Sequence, residues 1–186
     1  MKEVFRNLPT LSTSRLILRK IKMEDAESIF EYASRPITSK YTIWDVHKDI
    51  RDTRQFIRTV LDKYENNQAD SWCIVEKKGS KVIGTCGFCN WKPEHAKAEI
   101  GYALSPDYWR KGYTTEAVKK VIEFGFDVME LARMEAICLL DNIGSYKVME
   151  KAGMKYEGIL RHYLYAKGQF HDLRIYSIIK SDLDYL

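Results

Sequence analysis

The stretch from Ile100 to Ala117 constrains this chain more than any other. An apolar strand, Ile100-Gly101-Tyr102-Ala103-Leu104, meets a turn at Ser105-Pro106. A basic glycine loop, Arg110-Lys111-Gly112-Tyr113-Thr114-Thr115, then opens straight into an amphipathic helix. A helix start offers backbone N–H groups that have no partner inside the helix, together with the positive end of its dipole. A loop free of side-chain bulk at that point makes an anion site. Arg110 and Lys111 add positive charge, Gly112 removes bulk, and Thr114 and Thr115 offer hydroxyl donors.

The elements around this stretch give a mixed α/β sheet. Arg15 to Ile21 alternates as a strand does. Glu24 to Ala33 carries Ala26, Ile29, Phe30 and Ala33 at helical spacing, and Pro36 is expected to end that helix. Asp49 to Glu65 has the stripe Phe56, Ile57, Val60, Leu61 and Tyr64. Three strands follow, Trp72–Val75, Val82–Asn90 and Ala96–Leu104, the first two joined by a tight turn at Lys78-Gly79-Ser80. Beyond the loop come a helix to about Met129, a strand Met134–Leu140, a helix Ile143–Lys151 closed by Gly153, and β-rich runs Tyr156–Tyr165 and Phe170–Ile179.

A chain of 186 residues, 45% hydrophobic and 30% charged, suits one globular domain over residues 1–186, with no linker or repeat to divide it. The mild net charge of +4 comes without long Lys/Arg clusters, which argues against a nucleic-acid partner. No apolar run is long enough for a membrane span, and Met1 to Asn7 shows no secretory leader, so a cytoplasmic protein is expected. Cys86-Gly87-Phe88-Cys89 lies in a strand, where residues three apart point to opposite faces. All four cysteines are therefore expected to be buried apolar residues. His47, His95, His162 and His171 have no ligand-like spacing, so no metal is expected.

Two nucleotide motifs are absent. No G-x-x-x-x-G-K-[ST] occurs, and the loop has one glycine where a dinucleotide fingerprint needs three. The loop instead resembles the pyrophosphate loop of the GCN5-related N-acetyltransferases (GNATs), commonly [QR]-x-x-G-x-[GA]. Gly112 matches the central glycine, while Trp109 and Thr114 replace the flanking residues. The rest of the chain resembles the Rim-type ribosomal-protein N-terminal acetyltransferases of that superfamily. Thr13-Ser14-Arg15-Leu16-Ile17-Leu18-Arg19 with Asp25-Ala26 is similar to T-x-R-L-x-L-R…D-A, and Ala98-Glu99-Ile100-Gly101-Tyr102 to A-E-I-G-Y. Asn142, Ser145 and Glu150-Lys151-Ala152-Gly153-Met154 are similar to N-x-x-S…E-K-x-G-F. Glu157-Gly158-Ile159-Leu160-Arg161, Gly168, Asp172 and Tyr176 are similar to the closing E-G-x-x-R…G…D…Y.

The resemblance implies a single-domain α/β GNAT fold, with a mixed, mostly antiparallel sheet of about seven strands flanked by about four helices. It implies acetyl-CoA as co-substrate and a primary amine as acceptor, foremost the α-amine of a protein or peptide. A small amine (polyamine, aminoglycoside or amino acid) is the alternative acceptor, and a non-catalytic acyl-CoA sensor the alternative role. Backbone from Arg110 through Lys111, Gly112, Tyr113 and Thr114 to Thr115 would cradle the pyrophosphate, and Ala103, Leu104 and Ser105 would pair with the pantetheine arm. An N–H near Leu104 would polarise the thioester carbonyl. Glu99 is the candidate base, acting directly or through water.

The helix tyrosine that protonates the departing thiolate in many relatives falls at Met149. Ser145 is the substitute acid and a cofactor contact, and Asn142 is a cofactor contact and a helix cap. Trp44, Trp91, Arg161, Tyr163 and Tyr165, with Phe170, are candidates for the acceptor pocket. A homodimer through the β-rich C-terminal end is the oligomer the sequence suggests.

Overall fold

The computed structural model describes residues 3–185. Met1, Lys2 and Leu186, which the single-domain and leader arguments include, lie outside the described residues. The strands are β1 Leu11–Ser12, β2 Leu16–Arg19, β3 Ser71–Glu76, β4 Lys81–Lys92, β5 Lys97–Leu104, β6 Arg133–Leu139, β7 Lys155–Ala166 and β8 Gln169–Ile179. The helices are α1 Ala26–Ala33, α2 Pro36–Ser39, α3 Ile50–Glu65, α4 Tyr113–Asp127 and α5 Ile143–Lys151. One eight-stranded sheet runs in the order β1-β2-β3-β4-β5-β6-β8-β7. Its neighbours are antiparallel except β5 and β6, which are parallel.

Strand alternation sorts the side chains onto two helical layers. Trp72, Phe88 and Ile100 face α4. Trp72 meets the Phe124 ring edge-on at 5.1 Å, and its indole N–H is satisfied by the Pro9 carbonyl at 2.7 Å. A Cβ on Gly125 would sit 2.4 Å from the Met134 sulfur, so glycine lets α4 lie close on the sheet. Helix α5 follows on the same face, where the Tyr146 ring lies under the Arg174 guanidinium of β8. Helices α1 and α3 pack on each other over the opposite face. There Arg19 of β2 holds Asp25, just before α1, through two contacts of 2.8 and 2.7 Å.

The expected elements are present with small shifts at their ends, and two more are added. The sheet has eight strands because Leu11–Ser12 pairs with Leu18 and Ile17 of β2. A fifth helix arises because Pro36 starts α2, where its fixed φ and missing N–H suit the first helical position. The cysteines are all free, but only Cys73, Cys86 and Cys138 are buried. A register shift between Phe88 and Asn90 carries Cys89 outward, which corrects the expectation of four buried cysteines. Among the described residues no helix is long and apolar enough to cross a membrane, and no group of three His, Cys, Asp or Glu could hold a metal.

Candidate active site

Strands β5 and β6 share three rungs, Lys97↔Arg133, Ala98↔Met134 and Glu99↔Glu135, and then part. Each stays paired on its outer side, β5 with β4 as far as Leu104 and β6 with β8 as far as Leu139. The result is an opening inside the sheet, closed at Glu99. Ser105 donates its N–H to Ile83 O at 2.7 Å, which sets the phase of the β4–β5 ladder. Antiparallel ladders alternate, so the Leu104 backbone, opposite Gly84, turns away from β4 toward the opening, as does that of Tyr102. Ala103 and Ser105 turn theirs to β4. Of the run expected to meet the pantetheine arm, only Leu104 turns its backbone groups toward the opening, and Tyr102 outside that run does the same. The Leu104 carbonyl accepts the Trp109 indole N–H at 2.8 Å, which leaves the Leu104 N–H as the group offered to a ligand.

The mouth of the opening is the start of α4. Helix α3 is capped by the Asp49 side chain and α5 by that of Asn142, which accepts from Ser145 N at 3.1 Å. Helix α4 begins at Gly112, with φ +79° and no side-chain cap, so the N–H groups of Tyr113, Thr114 and Thr115 carry no capping side chain. The loop is held from three sides. Trp109 ties it to β5, Arg15 Nη1 donates to Lys111 O at 2.9 Å, and the Arg15 guanidinium lies 4.4 Å over the Tyr113 ring.

Glu116 in the first turn of α4 accepts from Thr13 Oγ1 at 2.6 Å, Ser14 Oγ at 3.1 Å and Arg15 N at 2.9 Å. It also meets Arg15 Nε at 2.6 Å. Burial alone would raise the Glu116 carboxyl, but these hydrogen bonds carry it down to about 2. The Thr13-Ser14-Arg15 signature thus works as an anchor for the loop. Arg110 holds φ +60° and is exposed, whereas Lys111 Nζ turns back onto Asp107 O at 2.8 Å.

Glu99 sits at the closed end, half-buried, on the β5 face opposite α4. Its side chain forms no hydrogen bond or ion pair among the described residues. Burial raises its carboxyl above the ordinary value and Glu135 adds to the rise, while Lys97 opposes it. Such a carboxylate is a better proton acceptor than an exposed one.

On the α4 face of the opening, Tyr102 OH lies 2.9 Å from Ser145 Oγ and 3.1 Å from Ser145 O, joining β5 to α5. Burial raises the Tyr102 phenol and keeps it protonated. The sequence reading did not single out Tyr102 as a site residue. The signal was its place two residues before Leu104 on the same face. Met149, in the slot where relatives carry a tyrosine, is core at 1% exposure and has no proton to give.

The acceptor candidates fall into separate groups. Trp44 packs against His47 at 5.6 Å, beside α3. Trp91 packs edge-on against Phe5 at 5.3 Å, on the α4 face and away from Glu99. Arg161 and Tyr163 lie where β7 bulges opposite Asp172, and with Ile159 and His162 they line an open depression of about 520 Å³. Strands β6 and β8 separate that depression from the opening. Tyr165 and Phe170 are exposed and meet edge-on at 5.0 Å near the β7–β8 turn. That turn reaches α2, where Lys167 Nζ donates to Ser39 O. On the other side of α2, Arg35 pairs with Asp107 at 2.8 Å.

An open sheet whose parting parallel strands lead to an uncapped glycine-headed helix defines an acetyltransferase of the GNAT class. Residues 15–155 match the family described as "Acetyltransferase (GNAT) domain", and the chain belongs to it. It is 38% identical over 175 residues to the uncharacterized N-acetyltransferase p20 of Bacillus licheniformis, covering 94% of this chain and 98% of that one. It is 36% identical over 172 residues to the uncharacterized N-acetyltransferase YoaA of Bacillus subtilis, covering 92% and 97%. Among solved structures, a GNAT-family acetyltransferase from Bacillus anthracis superposes with a TM-score of 0.83 at 31% identity, over 93% of this chain and 99% of that one. The ribosomal-protein-S5-alanine acetyltransferase of Vibrio fischeri gives 0.80 at 26% identity, over 94% and 98%. The protein is an N-acetyltransferase.

Proposed function

We propose that this enzyme moves the acetyl group of acetyl-CoA directly to a primary amine while both are bound, and that its acceptor is the α-amine of a protein or peptide. The observation that carries the reading is the Glu99 carboxylate, unpaired among the described residues, at the closed end of an opening whose wall offers the Leu104 N–H. The similarity to an S5-alanine acetyltransferase supports the acceptor class.

Acetyl-CoA supplies the thioester carbonyl that the amine attacks. The first-turn N–H groups of α4, from Tyr113 to Thr115, receive the pyrophosphate, with Arg110 adding charge and Lys111 helping to hold the loop. Leu104 N–H donates to the carbonyl oxygen as negative charge develops there. Glu99 takes a proton from the acceptor ammonium, directly or through one water, since the protonated amine has no lone pair to attack with. As the adduct collapses and the C–S bond breaks, Ser145, hydrogen-bonded to Tyr102, relays to the departing thiolate the second proton that the acylated nitrogen gives up. Asn142 fixes the start of α5 and hence Ser145.

The test mixes the protein with acetyl-CoA and a panel of peptides and small amines, and follows thiol release. Turnover with peptides bearing free α-amines, lost when those are blocked, is the expected result. Turnover confined to polyamines, aminoglycosides or amino acids would move the acceptor to that class. Cofactor binding with no turnover over the whole panel would make the protein an acyl-CoA sensor. Glu99→Gln should lower kcat by about 10²- to 10⁴-fold and remove the acid limb of the rate profile, with acetyl-CoA affinity kept.

A further inference from the structure

The first and third of the three β5–β6 rungs place four charges in a rectangle. Lys97 lies opposite Arg133 and Glu99 opposite Glu135, so like faces like across the strands. Like charges directly opposite cost stability in a sheet. The cost is relieved unevenly. Both oxygens of Glu135 lie 3.2 Å from Lys97 Nζ, and Arg133 Nε donates to Glu135 at 2.8 Å. Arg133 also donates to Glu157 of β7, through Nη1 at 2.8 Å, and Glu157 in turn accepts from Ser177 Oγ. Two cations are thus shared between Glu135 and Glu157, and Glu99 receives neither.

Lys97 had a nearer choice. It lies two residues from Glu99 on the same face of the same strand, about 7 Å away along the backbone and well within reach of a lysine side chain. With Glu135 present, it crosses to β6 instead. We propose that Glu135 is a positioning residue for acetyl transfer: by occupying Lys97 and Arg133 it withholds both cations from Glu99 and leaves that carboxylate free to take the acceptor's proton. The inference rests on Glu99 being the base.

The charged and titratable groups that face Glu99 are Lys97 on its own strand, Glu135 and Arg133 on β6, and Cys89 on β4. The Cys89 thiol stays protonated beside it. Asn90, its partner on β4, carries no charge. Without Glu135, Lys97 has Glu99 beside it on its own strand, since Glu157 is already held by Arg133 and Ser177, and a cation at contact distance draws a carboxylate down by about 1–3 pH units.

The test follows the Glu99 side-chain carboxyl by carbon-13 NMR in the full-length protein with labelled glutamate, the resonance being identified by its loss in Glu99→Gln. In Glu135→Gln the titration midpoint should fall by about one unit or more, and the acid limb of the rate profile should move down with it. Adding Lys97→Met to Glu135→Gln should raise the midpoint again. The single Lys97→Met, which leaves Glu135 bonded to Arg133, should raise it above the parent's. An unmoved midpoint in Glu135→Gln, or a double variant no different from it, overturns the assignment of Glu135 whatever Glu99 does in catalysis. A midpoint that moves while Glu99→Gln keeps its full rate overturns the base, and with it the catalytic meaning of Glu135.

Discussion

The Tyr102 phenol and the Ser145 hydroxyl share one hydrogen bond across the opening, and neither can be replaced by Met149 behind them. If the pair returns the proton to the thiolate, Tyr102→Phe and Ser145→Ala should each lower kcat by about tenfold, with little change in the KM for acetyl-CoA. The double variant should cost little more than either single one, because both act on one proton path. Steady-state kinetics of the three variants checks this, and full additivity would separate the two hydroxyls. Residues of this kind were unevenly legible in the sequence. Glu99, Gly112 and Asn142 stand in motifs similar to those of the family, which makes them candidates. Tyr102 stands in one too, but a tyrosine two residues from a strand end reads as core until the helix it reaches is placed.

Helix α4 shows how a single residue sets the start of an element. Gly112 has φ +79°, a region costly for any residue with a Cβ. A Cβ there would approach Arg15 Nη2 at 3.4 Å, so space is available and the backbone angle is the obstacle. Gly112→Ala should weaken coenzyme A binding about tenfold by calorimetry, through a loop strained by about 1–2 kcal/mol.

The anchor behind the loop has its own signature. Glu116 is held at about 2, below the ordinary 4.5, so its bonds stabilise the fold above about pH 4.5 and are lost as pH falls toward 2. Glu116→Gln should cost about 1–2 kcal/mol at neutral pH after allowance for solvent screening. The gap in melting temperature between variant and parent should close as pH falls through that window. A gap that stays constant would remove Glu116 from the anchor. The pattern of strands and helices was readable from apolar spacing, but the point at which β5 and β6 part was not. Both strands run on past Glu99 and Glu135 with their other neighbours still paired, so residue spacing carries no mark of it. Four-residue α2 was missed for a different reason, since Pro36 marks a helix boundary without saying on which side the helix lies.

At the scale of the whole molecule, two sets of strands meet at three rungs. Strands β1 to β5 form one set and β6, β8 and β7 the other. Tyr102 with Ser145 on one face and Lys97 with Glu135 on the other tie the sets together near Glu99.

An ordinary open sheet has two edges. This one has four, because the parting of β5 and β6 exposes two more in the middle of the protein. A pantetheine arm that bonds to Leu104 closes a seam, and the cofactor then does for the sheet what a missing strand would do. Catalysis and structural integrity should therefore draw on the same molecule. The melting temperature should climb with the logarithm of free coenzyme A, about 2.7 kcal/mol being gained at a hundredfold excess over Kd. Amide exchange should slow at residues 102–104, beside the seam, more than in outer β2. Exchange slowed only around Gly112 would mean that the phosphates bind while the seam stays open.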